Sequence, residues 1–376
     1  MPVYLDNAAT TRPCTPAVAA AVDAMTVNFG NPSSLHRAGL DAQLVMDRAR
    51  KIIADTIGAL PDNIIFTSGA TESNNLALRG ASAAYGRKRR KIIISAVEHA
   101  SVEETAAALE KNGFEVVRIS PRSDRRIYSE DFLESCDENT CLISMMLVNN
   151  ETGYILPVKE TFTDVKRRFP DIITHCDCVQ GYMKLPIRVN SLGADLISLS
   201  GHKIHGVKGA GAIYIKKGIR VLPVVTGGKQ EKGIRSGTES VPLIAAFGAA
   251  AETFAADIGQ RFDRAAELKK YLLGQLSDIE HIEVNSPDDG SPYIINISAT
   301  GKRSEIMLHF LESKEIYVSS GSACSKGAQS GVLGQFGITG KRADSALRIS
   351  ITAETTEAEL DLFVSALREG LEKIRG

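Results

Sequence analysis

Short apolar runs rich in Ile and Val punctuate the first two thirds of the chain, at 64–67, 92–97, 141–148, 172–176, 196–199 and 212–215. Near-continuous runs of this length predict strands of a parallel sheet buried on both faces. Longer segments with helical spacing lie between them; in one, Leu40, Leu44, Val45, Ile52, Ile53 and Ile57 form a predicted buried stripe. Strand–helix alternation of this kind predicts a doubly wound α/β domain.

The texture changes after about residue 255. A charged helical pattern over 261–276 precedes predicted strands at 293–298, 316–319 and 347–352. A last helix follows, with Leu360, Phe363, Val364, Leu367, Leu371 and Ile374 stepping by three and four. Thr356 and Glu359 have the spacing of a capping box at its start. The expected division is a large domain over 15–257. A smaller α+β domain takes 258–376 together with the tail 1–14.

The 376 residues are 43% hydrophobic, which excludes a disordered or collagen-like chain. Lys and Arg number 44 against 45 Asp and Glu, so direct binding of nucleic acid through overall charge is not expected. Basic clusters at 87–91 and 122–126 read as solvated loop charge beside a strand, or else as a docking patch for an acidic partner or an RNA. No apolar run approaches the ~20 residues of a membrane helix, and residues 1–6 have no signal-peptide pattern. The expectation is a cytoplasmic protein with no membrane association and with reduced cysteines.

Four motifs carry candidate chemistry. Phe66-Thr67-Ser68-Gly69-Ala70-Thr71-Glu72-Ser73-Asn74 follows a predicted strand and opens a helix. Its small residues and free N–H groups suit a phosphate, although an ordinary strand–helix turn capped by Thr71 has the same pattern. Asp177 ends a predicted strand, where a carboxylate needs a cationic partner such as a protonated ring nitrogen. Its neighbours Cys176 and Cys178 would share one strand face and His175 the other, so no metal site is expected. Lys203, in Ser200-Gly201-His202-Lys203, sits just past another strand and is placed for a Schiff base. Cys324 lies among small polar residues, with Lys326 near enough to favour a thiolate. Arg235-Ser236-Gly237-Thr238 is a turn suited to an anion. Arg348 is a charge within an apolar strand pattern and needs a carboxylate partner.

With these residues in their order, the chain resembles the cysteine desulfurases of the NifS/IscS type, members of the class V aminotransferase superfamily. The likeness also runs through Tyr4-Leu5-Asp6-Asn7-Ala8-Ala9-Thr10, Phe29-Gly30-Asn31-Pro32-Ser33-Ser34 and Val148-Asn149-Asn150-Glu151-Thr152-Gly153. It implies the fold-type I architecture and pyridoxal 5'-phosphate as cofactor. Lys203 would hold the cofactor covalently, Asp177 would pair with its ring nitrogen, and Gln180 would reach its ring hydroxyl. His99 would stack on the ring and shuttle protons. Ala70, Thr71, Ser200 and His202 would bind the phosphate, joined by Thr238 from the other subunit of a homodimer. Asn150 and Arg348 would clamp the substrate carboxylate. Freed Lys203 would remove the α-proton of L-cysteine, and Cys324 would take the sulfur as a persulfide, leaving L-alanine. A protein sulfur acceptor in iron–sulfur cluster assembly or tRNA thiolation would then receive it.

Alternatives are a selenocysteine lyase, a related lyase or aminotransferase, or an inactive scaffold on the same fold. Three departures from the resemblance stand out. The stretch after Cys324 is slightly shorter than in long-loop relatives, and Lys229 stands where many relatives have a third glycine. The chain also stops soon after its last helix, where relatives that dock a cluster scaffold often continue, so a tRNA-thiolation or other sulfur-pathway partner is a plausible expectation.

Overall fold

The computed structural model of the chain describes residues 2–320 and 331–374. Twelve strands are found among them: β1 Val3–Tyr4, β2 Ile64–Thr67, β3 Lys91–Ser95, β4 Glu115–Ile119, β5 Thr140–Met146, β6 Ile173–Asp177, β7 Leu196–Ser200, β8 Gly211–Ile215, β9 Ile282–Val284, β10 Ile294–Ala299, β11 Ile316–Tyr317 and β12 Ala346–Ser350.

Seven form one sheet in the order β2-β8-β7-β6-β5-β3-β4. From β7 to β4 every pairing is parallel, and β8 alone runs antiparallel to both of its neighbours. Strand alternation divides the apolar side chains between two cores. Ile93, Ile143 and Ile197 pack in one, and Ile92, Leu142 and Leu196 in the other. Both faces are therefore covered, as a mostly parallel sheet requires. This is the expected doubly wound α/β architecture.

β9, β10 and β12 make a smaller antiparallel sheet, and β1 pairs with β11. A third core joins Val3 and Leu5 to Leu268, Leu272, Ile297, Leu347, Ile349 and Phe363. The helices Ile258–Leu276 and Glu357–Lys373 supply its outer layer. Thr356 and Glu359 form the expected capping box in both directions. The N-terminal segment ties this layer to the large sheet. Ser350 N donates to Leu5 O at 2.7 Å, and Thr11 N donates to His202 O at 3.0 Å.

Three expectations need correction. In the helix Arg37–Ile57 the buried face is Ala42, Met46, Ala49, Ile53 and Ile57, whereas Leu40 and Leu44 stay 57% and 56% exposed. The alanines let the helix approach Val241–Ala255 closely; a Cβ on Gly248 would lie 2.7 Å from that of Ala49. Second, Lys91 is no solvated loop charge. It is buried at the start of β3 and pairs with Asp137 at 3.0 Å. Third, the predicted strands missed β1, β4 and β9, which are short or lie at a sheet edge. Their partners, not their own sequence, define them. Among the described residues no single helix is long and apolar enough to cross a membrane.

Candidate active site

A parallel sheet aims the ends of its strands at one edge. Here the segments after β2, β3, β5, β6 and β7 converge there and line a cavity of about 530 Å³. It gathers Ala70, Thr71, His99, Asn150, Asp177, Gln180, Ser200, His202, Lys203 and Arg348. Of the site residues expected from the sequence, Thr238 alone among the described ones is not in its lining; it is exposed in the segment before Val241–Ala255. Cys324 lies outside the described residues. The flank is defined: Ser319 pairs with Arg348 through two backbone hydrogen bonds.

Asp177 closes β6 and is 5% exposed. Its Oδ1 accepts from Val179 N at 2.9 Å and its Oδ2 from Asn74 Nδ2 at 2.8 Å. These donors keep the carboxylate in place while leaving lone pairs for a cation. Lys203 ends the short turn Gly201–Lys203 after β7, and its ammonium donates to Ala8 O at 2.7 Å and Ala9 O at 2.6 Å. Gln180 is buried beside it. Its Nε2 donates to the same Ala8 carbonyl at 2.9 Å, and its Oε1 accepts from Lys184 Nζ at 2.9 Å. Burial, then repulsion from Lys203 and Arg348, pulls Lys184 down to about 7.

His99 caps the helix Ala100–Lys111, with Nδ1 accepting from Ser101 N at 3.1 Å. Burial holds its pKa below the ordinary imidazole value; Asp177 opposes that shift and Lys203 adds to it. His202 sits among cations. Burial first, then Lys203, Lys208 and Lys184, pushes it down to about 4, so it is neutral near pH 7. Its Nδ1 lies 3.2 Å from Thr10 Oγ1.

At the other end of the cavity the backbones of Gly69 and Gly211 nearly touch: a Cβ on Gly211 would lie 2.6 Å from Gly69 Cα. That approach brings Ser68-Gly69-Ala70-Thr71 against the start of β8. The first N–H groups of the helical run from Ala70 have no partner within the helix. Ser200 Oγ, buried in the same wall, also has none. A carboxylate at one end and unsatisfied donors at the other fit the charges of pyridoxal phosphate, a cationic ring nitrogen and a dianionic phosphate.

Arg348 needs the carboxylate that the sequence demanded of it, and Asp6 supplies it at 2.9 Å. Its Nη1 donates to Asn150 O at 3.0 Å, while Nε is buried without a partner. Sequence reasoning assigned no role to Asp6, Asn74, Ser101 or Lys184. Asn74 lay inside the motif after β2, but a polar residue in a helix opening carries no mark of what it will face. Cys176 Sγ and Cys178 Sγ lie 3.4 Å apart, and His175 is bonded on the other side of the strand to Ser144 and Ser198.

Comparison with known proteins agrees in extent. The family Aminotransferase class-V matches residues 3–363. A cysteine desulfurase IscS from Serratia proteamaculans is 39% identical over 384 residues, covering 100% of this chain and 94% of that one. Among solved structures, a NifS-like protein superposes with a TM-score of 0.94 at 34% identity over 100% of both chains. SspA in complex with cysteine reaches 0.83 at 32% identity, covering 94% of this chain and 99% of that one. Likeness at this level over the whole length places the chain in the class-V aminotransferase family, among its NifS/IscS-type members.

Proposed function

We propose that this protein is a pyridoxal-phosphate-dependent cysteine desulfurase that takes sulfur from L-cysteine and passes it on from Cys324. The observation that carries this reading is the convergence of Lys203, Asp177, His99 and Arg348 on one cavity. Full-length relatives named cysteine desulfurase, and a neighbour solved with cysteine, support the same substrate. They do not favour a selenocysteine lyase, an aminotransferase or an inactive scaffold.

When bound, the cofactor supplies an electrophilic carbonyl and an electron-withdrawing ring. Lys203 provides the amine that anchors it and then the base for the substrate α-proton. Asp177 would pair with the cofactor's ring nitrogen and favour its protonated form, and Gln180 would reach the ring hydroxyl. Ala70, Thr71, Ser200 and His202 would hold the phosphate, with neutral His202 as a hydrogen-bonding partner and not as a charge. Arg348 and Asn150 orient the substrate by its carboxylate. The Cys324 thiolate forms a bond to the substrate sulfur as the Cβ–S bond breaks. A thiol and L-cysteine thus become a persulfide and L-alanine, with no external oxidant. Little sequence separates Ser319, pinned to Arg348, from Cys324.

The reading includes a homodimer in which Thr238 reaches the partner's phosphate, a protein acceptor in iron–sulfur assembly or tRNA thiolation, and a cytoplasmic setting. It keeps 15–257 as the cofactor domain, with 1–14 and 258–376 as the domain bearing Cys324. The test is incubation of the yellow holoprotein with L-cysteine, followed by alanine assay and peptide mass spectrometry. Cys324 is expected to gain one sulfur atom, and Cys324→Ala to keep the cofactor but stop sulfide release under reductant. Sulfide release by that variant at the wild-type rate would falsify the role of the thiol.

A further inference from the structure

A line of hydrogen bonds joins Asp177 to His99, two residues of the cavity lining. Asn74 Nδ2 carries two hydrogens. One goes to Asp177 Oδ2 at 2.8 Å and the other to Ser101 Oγ at 2.8 Å. A carboxylate only accepts, so the amide nitrogen, not the oxygen, must face Asp177. That orientation leaves Asn74 Oδ1 buried without a partner. Ser101 Oγ lies 2.9 Å from His99 Nδ1, and because that nitrogen accepts from a backbone N–H, the hydroxyl is the donor of the pair. The backbone N–H of Ser101 donates to the same nitrogen at 3.1 Å. Nδ1 thus faces two donors and has no room for a proton of its own.

We propose that Ser101 fixes His99 as the neutral tautomer protonated on Nε2, its backbone N–H setting Nδ1 as the acceptor and its hydroxyl, braced by Asn74 and Asp177, strengthening that state. His99 then meets the cavity as a hydrogen-bond donor through Nε2, and Asn74 and Ser101 are positioning residues for it. This deepens the desulfurase reading and rests on it only for what the Nε2 hydrogen bond is used for; the tautomer follows from the hydrogen-bond directions alone. Nε2 has no partner among the described residues, so its hydrogen is available to whatever occupies the cavity. The charged groups facing the ring are Asp177 and Lys203, which act in opposite directions, and burial favours the neutral ring over either.

The experiment is long-range proton–nitrogen NMR on the 15N-labelled holoenzyme, with His99→Gln used to assign the signals. A pyrrole-type Nε2 and a pyridine-type Nδ1 are expected. In Ser101→Ala the backbone donor remains and the tautomer is kept. The lost hydroxyl raises the His99 titration midpoint by about 0.5–1 pH unit, because a hydrogen bond to the neutral form has gone. Ser101→Thr restores the wild-type midpoint. A proton resident on Nδ1 in the wild type, or an unmoved midpoint in Ser101→Ala, overturns the proposal. Neither result depends on turnover, so loss of desulfurase activity is read separately.

Discussion

Asp6 and Arg348 stand 342 positions apart in sequence and meet at 2.9 Å, where Arg348 lines the cavity. The guanidinium serves three directions at once: Asp6, the carbonyl of Asn150 and the open Nε edge. A lysine is a single point charge and cannot repeat that fork. Arg348→Lys is therefore expected to raise KM for L-cysteine about 10-fold or more, since charge-assisted bonds are worth ~1.5–3 kcal/mol each. Steady-state kinetics checks this, and a KM within twofold of wild type would remove Arg348 from carboxylate binding.

Lys229 marks a local cost. Its φ is 63°, inside the left-handed region that disfavours any residue with a Cβ. It is held there because Gly233 N–H donates to its carbonyl at 3.0 Å, closing the turn. Lys229→Gly relieves the strain, offset partly by the freer unfolded chain. The expected outcome is a gain of about 0.5–1 kcal/mol in denaturant unfolding. A loss of stability would show that the lysine side chain contributes more than its backbone costs.

Glu98, one residue before His99, is buried, and its Oε2 has no partner. Burial pushes its carboxyl up to about 8 despite the bonds from Ser95 and Met146 N. Between the ordinary 4.5 and about 8 the folded chain holds a proton that the unfolded chain has released. Stability therefore falls as pH rises through that window, by up to ~1.4 kcal/mol per unit. Glu98→Gln copies the protonated form and should be near neutral at pH 5, with a gain that grows to pH 8 and then levels. Urea midpoints at pH 5, 7 and 9 test it; parallel curves for the two proteins would refute the shift.

Val18, Val22 and Met25 stand on one exposed face of Thr15–Thr26 at spacings of four and three, each 47–56% exposed. Leu40 and Leu44 stand likewise on Arg37–Ile57. Apolar area of this kind marks an interaction surface, and the homodimer proposed above would use it. Val22→Glu with Leu44→Glu should shift sedimentation toward the monomer. The same variant should hold pyridoxal phosphate more weakly, since the homodimer proposed above takes Thr238 of a second subunit to the phosphate. An unchanged sedimentation profile would place the interface elsewhere.

Local pattern determined much of this protein. The buried strand runs, the helix cap at Thr356, and the chemistry of Lys203, Asp177 and Arg348 each follow from neighbours a few residues away, because burial and capping are short-range demands. Tertiary structure decided the rest. Which face of Arg37–Ile57 is buried depends on alanines chosen to fit a helix two hundred residues later. The partners of Arg348 and Asp177 are Asp6 and Asn74, residues whose own surroundings in sequence say nothing of them. A hydrogen bond between side chains far apart in the chain exists only once the sheet has set the distance, and a sequence read along its length carries no distances.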